Sequence, residues 1–256
     1  MKKYGFGVDV GGTTVKMGYC ETSGELRDKW EIKTDTSENG KAGLPDIAQA
    51  IDNKLGQEGI SKSDVGGMGI GVPVPVRSES VVNGCVNLGW GVINVAEELG
   101  AQTGLKVKGG NDANVAGLGE MWQGGGKGSK DVIMVTLGTG VGGGIIVDGH
   151  VVAGYNGAGG EIGHITVNHD EIEPCNCGQY GCLEQYTSAT GIVRMAKRKL
   201  AKTQDATKLR DYKDITAKDI FDAAKEGDTF AFGREDKVGE ILGTHCPNIA
   251  AVTNPE

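Results

Sequence analysis

The sequence predicts an α/β protein built as two related lobes. Three observations carry this reading. Short β-branched, apolar runs recur at strand length. Between them lie segments whose apolar residues repeat at helical spacing. A strand–glycine turn–strand unit occurs twice, once near the start of each half. The first unit is Phe6–Val10, Gly11-Gly12-Thr13-Thr14, then Val15–Tyr19. The second is Val132–Leu137, the glycine-rich turn 138–144, then Ile145–Val147. The lobes are expected at 1–115 and 116–256, with a helix from Asp112 joining them.

The remaining elements follow in chain order. Residues 44–56 place Leu44, Ile47, Ala48, Ile51 and Leu55 on one helical face, and Pro45 is tolerated in a first turn. Gly67–Val76 is a buried strand feeding a loop at Pro73 and Pro75. Residues 92–100 read as a helix closed by Gly100, and 112–123 as another beginning at Asp112. Amphipathic helices are expected at 187–201 and 216–226, separated by a polar stretch at 203–215. The cluster Lys197, Arg198, Lys199 and Lys202 reads as a solvated helix face.

Composition limits the function classes. The chain has 256 residues, 38% of them hydrophobic and 23% charged, enough to bury a core. Its 26 basic and 34 acidic residues give a net charge of −8, so its overall field does not attract a nucleic acid. The first residues run directly into a strand pattern, and no stretch nears the ~20 apolar residues needed to span a bilayer. The expectation is a cytoplasmic protein without membrane partners. Its six cysteines are then reduced, and a cluster of them points to metal before disulfide. The 45 glycines show no collagen period and mark tight turns where backbone approaches a ligand.

Four segments carry chemistry. Asp9, Gly11, Gly12, Thr13 and Thr14 put a carboxylate, glycines and hydroxyls at the end of a strand. That suits Mg²⁺ on the carboxylate and phosphate oxygens on turn N–H groups, although an ordinary hairpin turn has the same residues. Gly138-x-Gly140-x-x-Gly143 matches the dinucleotide fingerprint formally. It fails on context, because a strand rather than a helix follows, and a second phosphate-binding hairpin fits better. Asp112, after Asn111 at a loop-to-helix junction, suits a helix N-cap; in a phosphotransferase the same carboxylate accepts the proton of an attacking hydroxyl. Cys175, Cys177 and Cys182 form Cys-x-Cys-x₄-Cys, which needs one more ligand for a tetrahedral structural Zn²⁺. His164 is favoured over His169. Glu161 and Glu184 flank this segment and suit the hydroxyls of a polyol; a two-carboxylate glycosidase is the rival reading, and it leaves both phosphate-type turns unused. Cys20, Cys85 and Cys246 are isolated and read as packing residues.

Taken together, Asp9-x-Gly11-Gly12-Thr13, Asn111-Asp112, Gly138-Thr139-Gly140, Gly160-Glu161-x-Gly163-His164 and Cys175-x-Cys177-Gly178-x-x-Gly181-Cys182-x-Glu184 resemble the ROK family of repressors and sugar kinases. The resemblance covers nearly the whole chain and is greatest to the bacterial glucokinases of that family. It implies an actin-like, ribonuclease-H-like two-lobed fold with sugar and ATP in the cleft, and dimers, which are usual in the family. By position it makes Asp112 the general base. It makes Asn87, Asn111, Asp112, Glu161, His164 and Glu184 sugar ligands, and His164, Cys175, Cys177 and Cys182 the zinc ligands. It assigns Asp9, Gly11, Gly12, Thr13, Thr14, Lys16, Gly138, Thr139, Gly140 and Gly142 to ATP and its Mg²⁺. The expected reaction is phosphorylation of glucose. Other hexoses on the same scaffold, or sugar binding without turnover, are the alternatives, and polyphosphate is a second candidate donor. A DNA-binding repressor is disfavoured, because the chain begins directly at the Asp9 strand.

Two departures from the family pattern stand out. Val74 replaces the glycine of Gly-x-Pro-Gly-Pro-Val in the sugar-side loop, where a β-branched side chain is expected to crowd the sugar or strain the backbone. Family members also continue past the segment matching Asn254-Pro255-Glu256, so the resemblance implies a C-terminal lobe that is incomplete as given.

Overall fold

The computed structural model describes residues 2–77 and 80–256, with the side chains of 232, 234 and 235 left out of the description. The chain divides into two compact units: Met1–Ser129 with Val151–Gly159, and Lys130–His150 with Gly160–Glu256. A division at 115/116 would cut the helix Asp112–Gln123, which remains whole in the first unit.

In the first unit a five-stranded sheet has the order β3-β2-β1-β4-β8, with β1 Tyr4–Val10, β2 Thr14–Glu21, β3 Leu26–Lys33, β4 Val65–Val72 and β8 Val107–Asn111. β1 and β2 form the expected antiparallel hairpin, with Asp9 opposite Lys16. β4 runs parallel to both β1 and β8. Strand periodicity sends Phe6, Val8 and Val10 of β1 and Val15, Met17 and Tyr19 of β2 into one core. Helices α1 (Ser37–Gly40, a single turn) and α2 (Gly43–Glu58) follow β3. α2 adds Leu44, Ile47, Ala48, Ile51 and Leu55 to that core and ends at Gly59, whose φ of 64° is left-handed.

Residues 92–100 differ from expectation. Val76–Arg77 (β5), Val81–Cys85 (β6) and Trp90–Asn94 (β7) make a small antiparallel sheet, and the helix α3 runs Val95–Thr103. The Asn94 side chain accepts hydrogen bonds from the N–H groups of Ala96 and Glu97, which sets the start of α3. Gly104, not Gly100, closes it. α4, Asp112–Gln123, falls where the sequence placed it.

In the second unit β9 (Val132–Leu137) and β10 (Val141–Val147) form the second antiparallel hairpin. The turn is shorter than expected, because Gly142, Gly143 and Gly144 lie in the ladder opposite Thr136, Val135 and Met134. Packing demands glycine there: a Cβ on Gly143 would lie 2.4 Å from Ile162 Cγ1 and 2.5 Å from Gly160 O. Helices α5 (Glu184–Thr187), α6 (Ala189–Lys202), α7 (Ala217–Lys225) and α8 (Thr229–Thr253) complete the unit. Thr216 and Asp219 cap α7 reciprocally. α8 has no counterpart in the sequence reading, since Gly233, Gly239, Gly243 and Pro247 all weaken a helical signal. It forms because Phe230, Ala231, Val238 and Ile241 pack into a core with Ile192, Leu209 and Ile220.

Candidate active site and metal centre

The ends of β1, β4 and β8 place two carboxylates. Asp9 is opposite Gly71 in the β1–β4 register, and a Cβ on Gly71 would lie 3.4 Å from Asp112 Cα. Residue 71 of β4 therefore lies beside both carboxylate positions. Asn111, not Asp112, is the cap of α4: its Oδ1 accepts a hydrogen bond from Asn114 N–H at 3.1 Å. Asp112 is the first helical residue, and its Oδ1 accepts from Ala113 N–H at 2.7 Å. Burial raises the Asp112 pKa above the usual carboxylate range, the Ala113 bond opposes this, and the charge of Asp9 adds to the rise.

Beyond β1, Gly11 N–H donates to Thr14 O at 3.0 Å, and Thr34 fastens the turn through its hydroxyl on Gly11 O at 2.7 Å. Gly12 and Thr13 are exposed, and a Cβ on Gly12 would meet nothing within 4 Å, so backbone there is open to a ligand. Lys16 is exposed on β2. Asn87 is exposed in the turn Val86–Leu88. Burial raises the pKa of nearby Cys85, to which the Asp112 charge contributes. Val74 packs against the first core and is not among the positive-φ residues of the described chain, so its branch does not force a left-handed backbone. A cavity of about 620 Å³ in this unit lies elsewhere: Gly109, Val115 and Leu118 line it, while Asp9 and Asp112 do not.

In the second unit the turn Gly138–Gly140 is tied to the head of α6. Ala189 N–H donates to Gly138 O, and the Thr190 hydroxyl donates to Thr139 O, each at 2.8 Å. Gly142 N–H donates to Thr136 Oγ1 at 3.1 Å. Glu184 Oε2 accepts from Val141 N–H at 3.0 Å, and a Cβ on Gly140 would lie 2.3 Å from that oxygen. Glu161 directly precedes the turn Ile162–His164, and its carbonyl accepts from His164 N–H.

The four anticipated metal ligands come together. One atom from each of His164, Cys175, Cys177 and Cys182 lies within 4.8 Å of all the others. Cys175 Sγ is 3.8 Å from His164 Nδ1, and Cys177 Sγ is 3.6 Å from Cys182 Sγ. His169 is outside the group. The loop folds back on two glycines with left-handed φ, Gly178 at 87° and Gly181 at 72°. A Cβ on Gly181 would lie 1.7 Å from Asn168 O. Burial, together with the neighbouring thiols, pushes the Cys182 thiol up to about 12. Three sulfurs and one imidazole at this separation fit a tetrahedral thiolate–imidazole ion such as Zn²⁺.

Arg198 contradicts the solvated-face reading. With Arg194, one turn earlier, it reaches Glu171, a residue the motifs gave no reason to single out.

The profile described as the ROK family matches residues 5–256. The chain belongs to the ROK family. A glucokinase of Halalkalibacterium halodurans is 44% identical over 98% of this chain and 77% of its own length. A glucokinase of Thermotoga maritima is 35% identical over 98% of this chain and 78% of its own length. Among solved structures, a ROK family glucokinase from Streptomyces griseus in complex with glucose and AMPPNP is 32% identical, with a TM-score of 0.77 over 98% of this chain and 80% of that one. The ROK fold is accordingly the actin-like sugar-kinase α/β fold anticipated from the motifs.

Proposed function

We propose that this ROK protein is a glucokinase, transferring the γ-phosphoryl group of ATP to a hydroxyl of glucose. The observation that carries the reading is Asp112. Asn111 takes over the cap of α4, which leaves Asp112 on the first turn, where burial with the Asp9 charge raises its pKa above its ordinary value. Its Oδ1 holds Ala113 N–H, so Oδ2 is assigned to the substrate hydroxyl.

On the first unit, Asp112 accepts the hydroxyl proton as the oxygen attacks phosphorus, and Asn87 and the Asn111 amide nitrogen donate to neighbouring hydroxyls. Asp9 holds Mg²⁺, while Gly11, Gly12, Thr13, Thr14 and Lys16 take phosphate oxygens. On the second unit, Glu161, His164 and Glu184 are hydroxyl ligands, and Gly138, Thr139, Gly140 and Gly142 take phosphate. With little covalent chemistry for protein groups to perform, rate comes from positioning and charge stabilisation. His164, Cys175, Cys177 and Cys182 hold a structural Zn²⁺, which supplies rigidity when bound and leaves no position for substrate. His164 Nδ1 faces the thiols, which leaves Nε2 for a sugar hydroxyl.

The supporting likeness is the 44% identity to a named glucokinase. A second acceptor is kept because an N-acetyl-D-glucosamine kinase of Erwinia tasmaniensis is 30% identical over 98% of this chain. The test is a coupled assay with ATP and Mg²⁺, comparing glucose, N-acetylglucosamine, N-acetylmannosamine, fructose and allose. Glucose 6-phosphate formation with the highest kcat/KM for glucose supports the proposal. Preference for another sugar replaces the acceptor. Binding of glucose without turnover of any sugar overturns the kinase reading.

A further inference from the structure

The loop leading to Cys175 is held by a buried carboxylate outside the motifs. The Glu171 side chain is only 2% exposed and accepts from both guanidinium groups of α6. Arg198 donates to Oε2 at 3.0 Å and to Oε1 at 2.9 Å, and Arg194 donates to Oε2 at 3.0 Å. The Tyr186 hydroxyl donates to Oε2 at 2.6 Å and accepts from Asn168 Nδ2 at 2.8 Å. Ile172 and Glu173 N–H groups both donate to Oε1 at 3.0 Å. One carboxylate thereby joins the loop, α5 and α6.

This cluster leads to the metal ligands by two short paths. Glu173, also paired with Arg194 and Arg198, stands two residues before Cys175. Its carbonyl accepts from Gln185 Nε2 at 3.0 Å, and Gln185 Oε1 accepts from Cys182 N–H at 3.1 Å. Arg194 also donates to Gln185 O at 3.0 Å, beside Glu184. A cavity of about 160 Å³ is lined by Cys175, Glu184 and Arg194 together. Arg194 thus touches Glu171, Glu173 and Gln185, while Arg198 touches Glu171 and Glu173, so both sit on the backbone leading to Cys175.

We propose that Glu171 is the positioning residue of the metal centre, holding Cys175, Cys182 and Glu184 in place through Arg194, Arg198 and Gln185. The proposal rests on the zinc and sugar-ligand reading above. Groups that orient metal ligands typically change metal affinity by about 10–100-fold when removed. In the zinc-loaded full chain, Glu171→Gln is expected to release zinc to a colorimetric chelator at least about tenfold faster. The KM for glucose is expected to rise several-fold, with a smaller change in kcat. Tyr186→Phe removes one hydrogen bond and gives a smaller acceleration, which keeps the test usable if Glu171→Gln does not fold. Asp228→Ala is the control, since it strips the α8 cap in the same unit without touching the cluster. It is expected to lower stability and release zinc at the wild-type rate. Wild-type release from both Glu171→Gln and Tyr186→Phe overturns the positioning role while leaving the metal centre intact. Equal acceleration by Asp228→Ala overturns it too, because general loosening then suffices. A wild-type chain without zinc after purification in zinc overturns the metal reading and this proposal with it.

Discussion

Asn111 accepts the Asn114 N–H at 3.1 Å and so caps α4 one residue ahead of Asp112. Asp and Asn are comparable N-caps, and either could have filled the position. Because the amide does so, the carboxylate moves to the first helical turn, where the positive end of the helix favours its charge while burial opposes it. Burial outweighs the Ala113 hydrogen bond that opposes it.

Asp112→Asn is expected to leave glucose affinity within a few-fold of wild type and to reduce kcat by about 10²–10⁴-fold, the usual contribution of a general base. Calorimetric glucose titration and the coupled assay check the two halves. An active variant removes Asp112 as the base.

The same carboxylate sets a pH dependence. Because its folded pKa is raised, the acid limb of kcat/KM should lie above that of an ordinary carboxylate, and activity should rise as Asp112 ionises. For stability the sign is opposite. A raised carboxyl pKa contributes stability below the unfolded value, and that contribution is lost as pH rises through the folded value. Asp112→Asn should therefore melt at or above the wild-type temperature at pH 7 and lose that advantage near pH 4. A variant less stable than wild type at pH 7 contradicts the assignment.

Glu171 behaves in the reverse sense. The Arg198 hydrogen bonds hold its carboxyl far below the usual range, so its stabilisation is present above the unfolded pKa and fades as pH falls toward the folded one. Glu171→Gln should cost about 3 kcal/mol at pH 7, as expected for breaking a buried pair. Denaturant unfolding from pH 7 to pH 3 should show the gap to wild type narrowing on the acid side.

Cys177 is exposed, whereas Cys175 and Cys182 are buried. Cys177→Ser is expected to lower bound zinc below one ion per chain and to lower the melting temperature with it, because a structural ion contributes its binding free energy to folding. Metal analysis and thermal melts in the presence and absence of chelator test this. Unchanged zinc content removes Cys177 from the ligand set.

Gly140→Ala should disturb the second turn through Glu184 alone, since a Cβ there would lie 2.3 Å from Oε2. The expected outcome is a raised KM for ATP with little change in zinc content. Unchanged kinetics would show that the Glu184–Val141 contact is dispensable.

Much of this protein was legible in the linear order of its residues. Both hairpins, the helix from Asp112 and the clustering of Cys175, Cys177 and Cys182 with the favoured His164 were marked in the sequence, because turn chemistry and closely spaced side chains act over a few residues and leave local marks. Other features needed the tertiary structure. Gly142, Gly143 and Gly144 look like turn residues but belong to a strand, since the reason for glycine at 143 is the approach of Ile162, remote in sequence. α8 holds together against its own glycines and proline through burial that no propensity reports. Arg194 and Arg198 carry no sign in the sequence of which partner they face. A buried carboxylate from a loop more than twenty residues away decides it, since ion pairing depends on distance in space and not on separation along the chain.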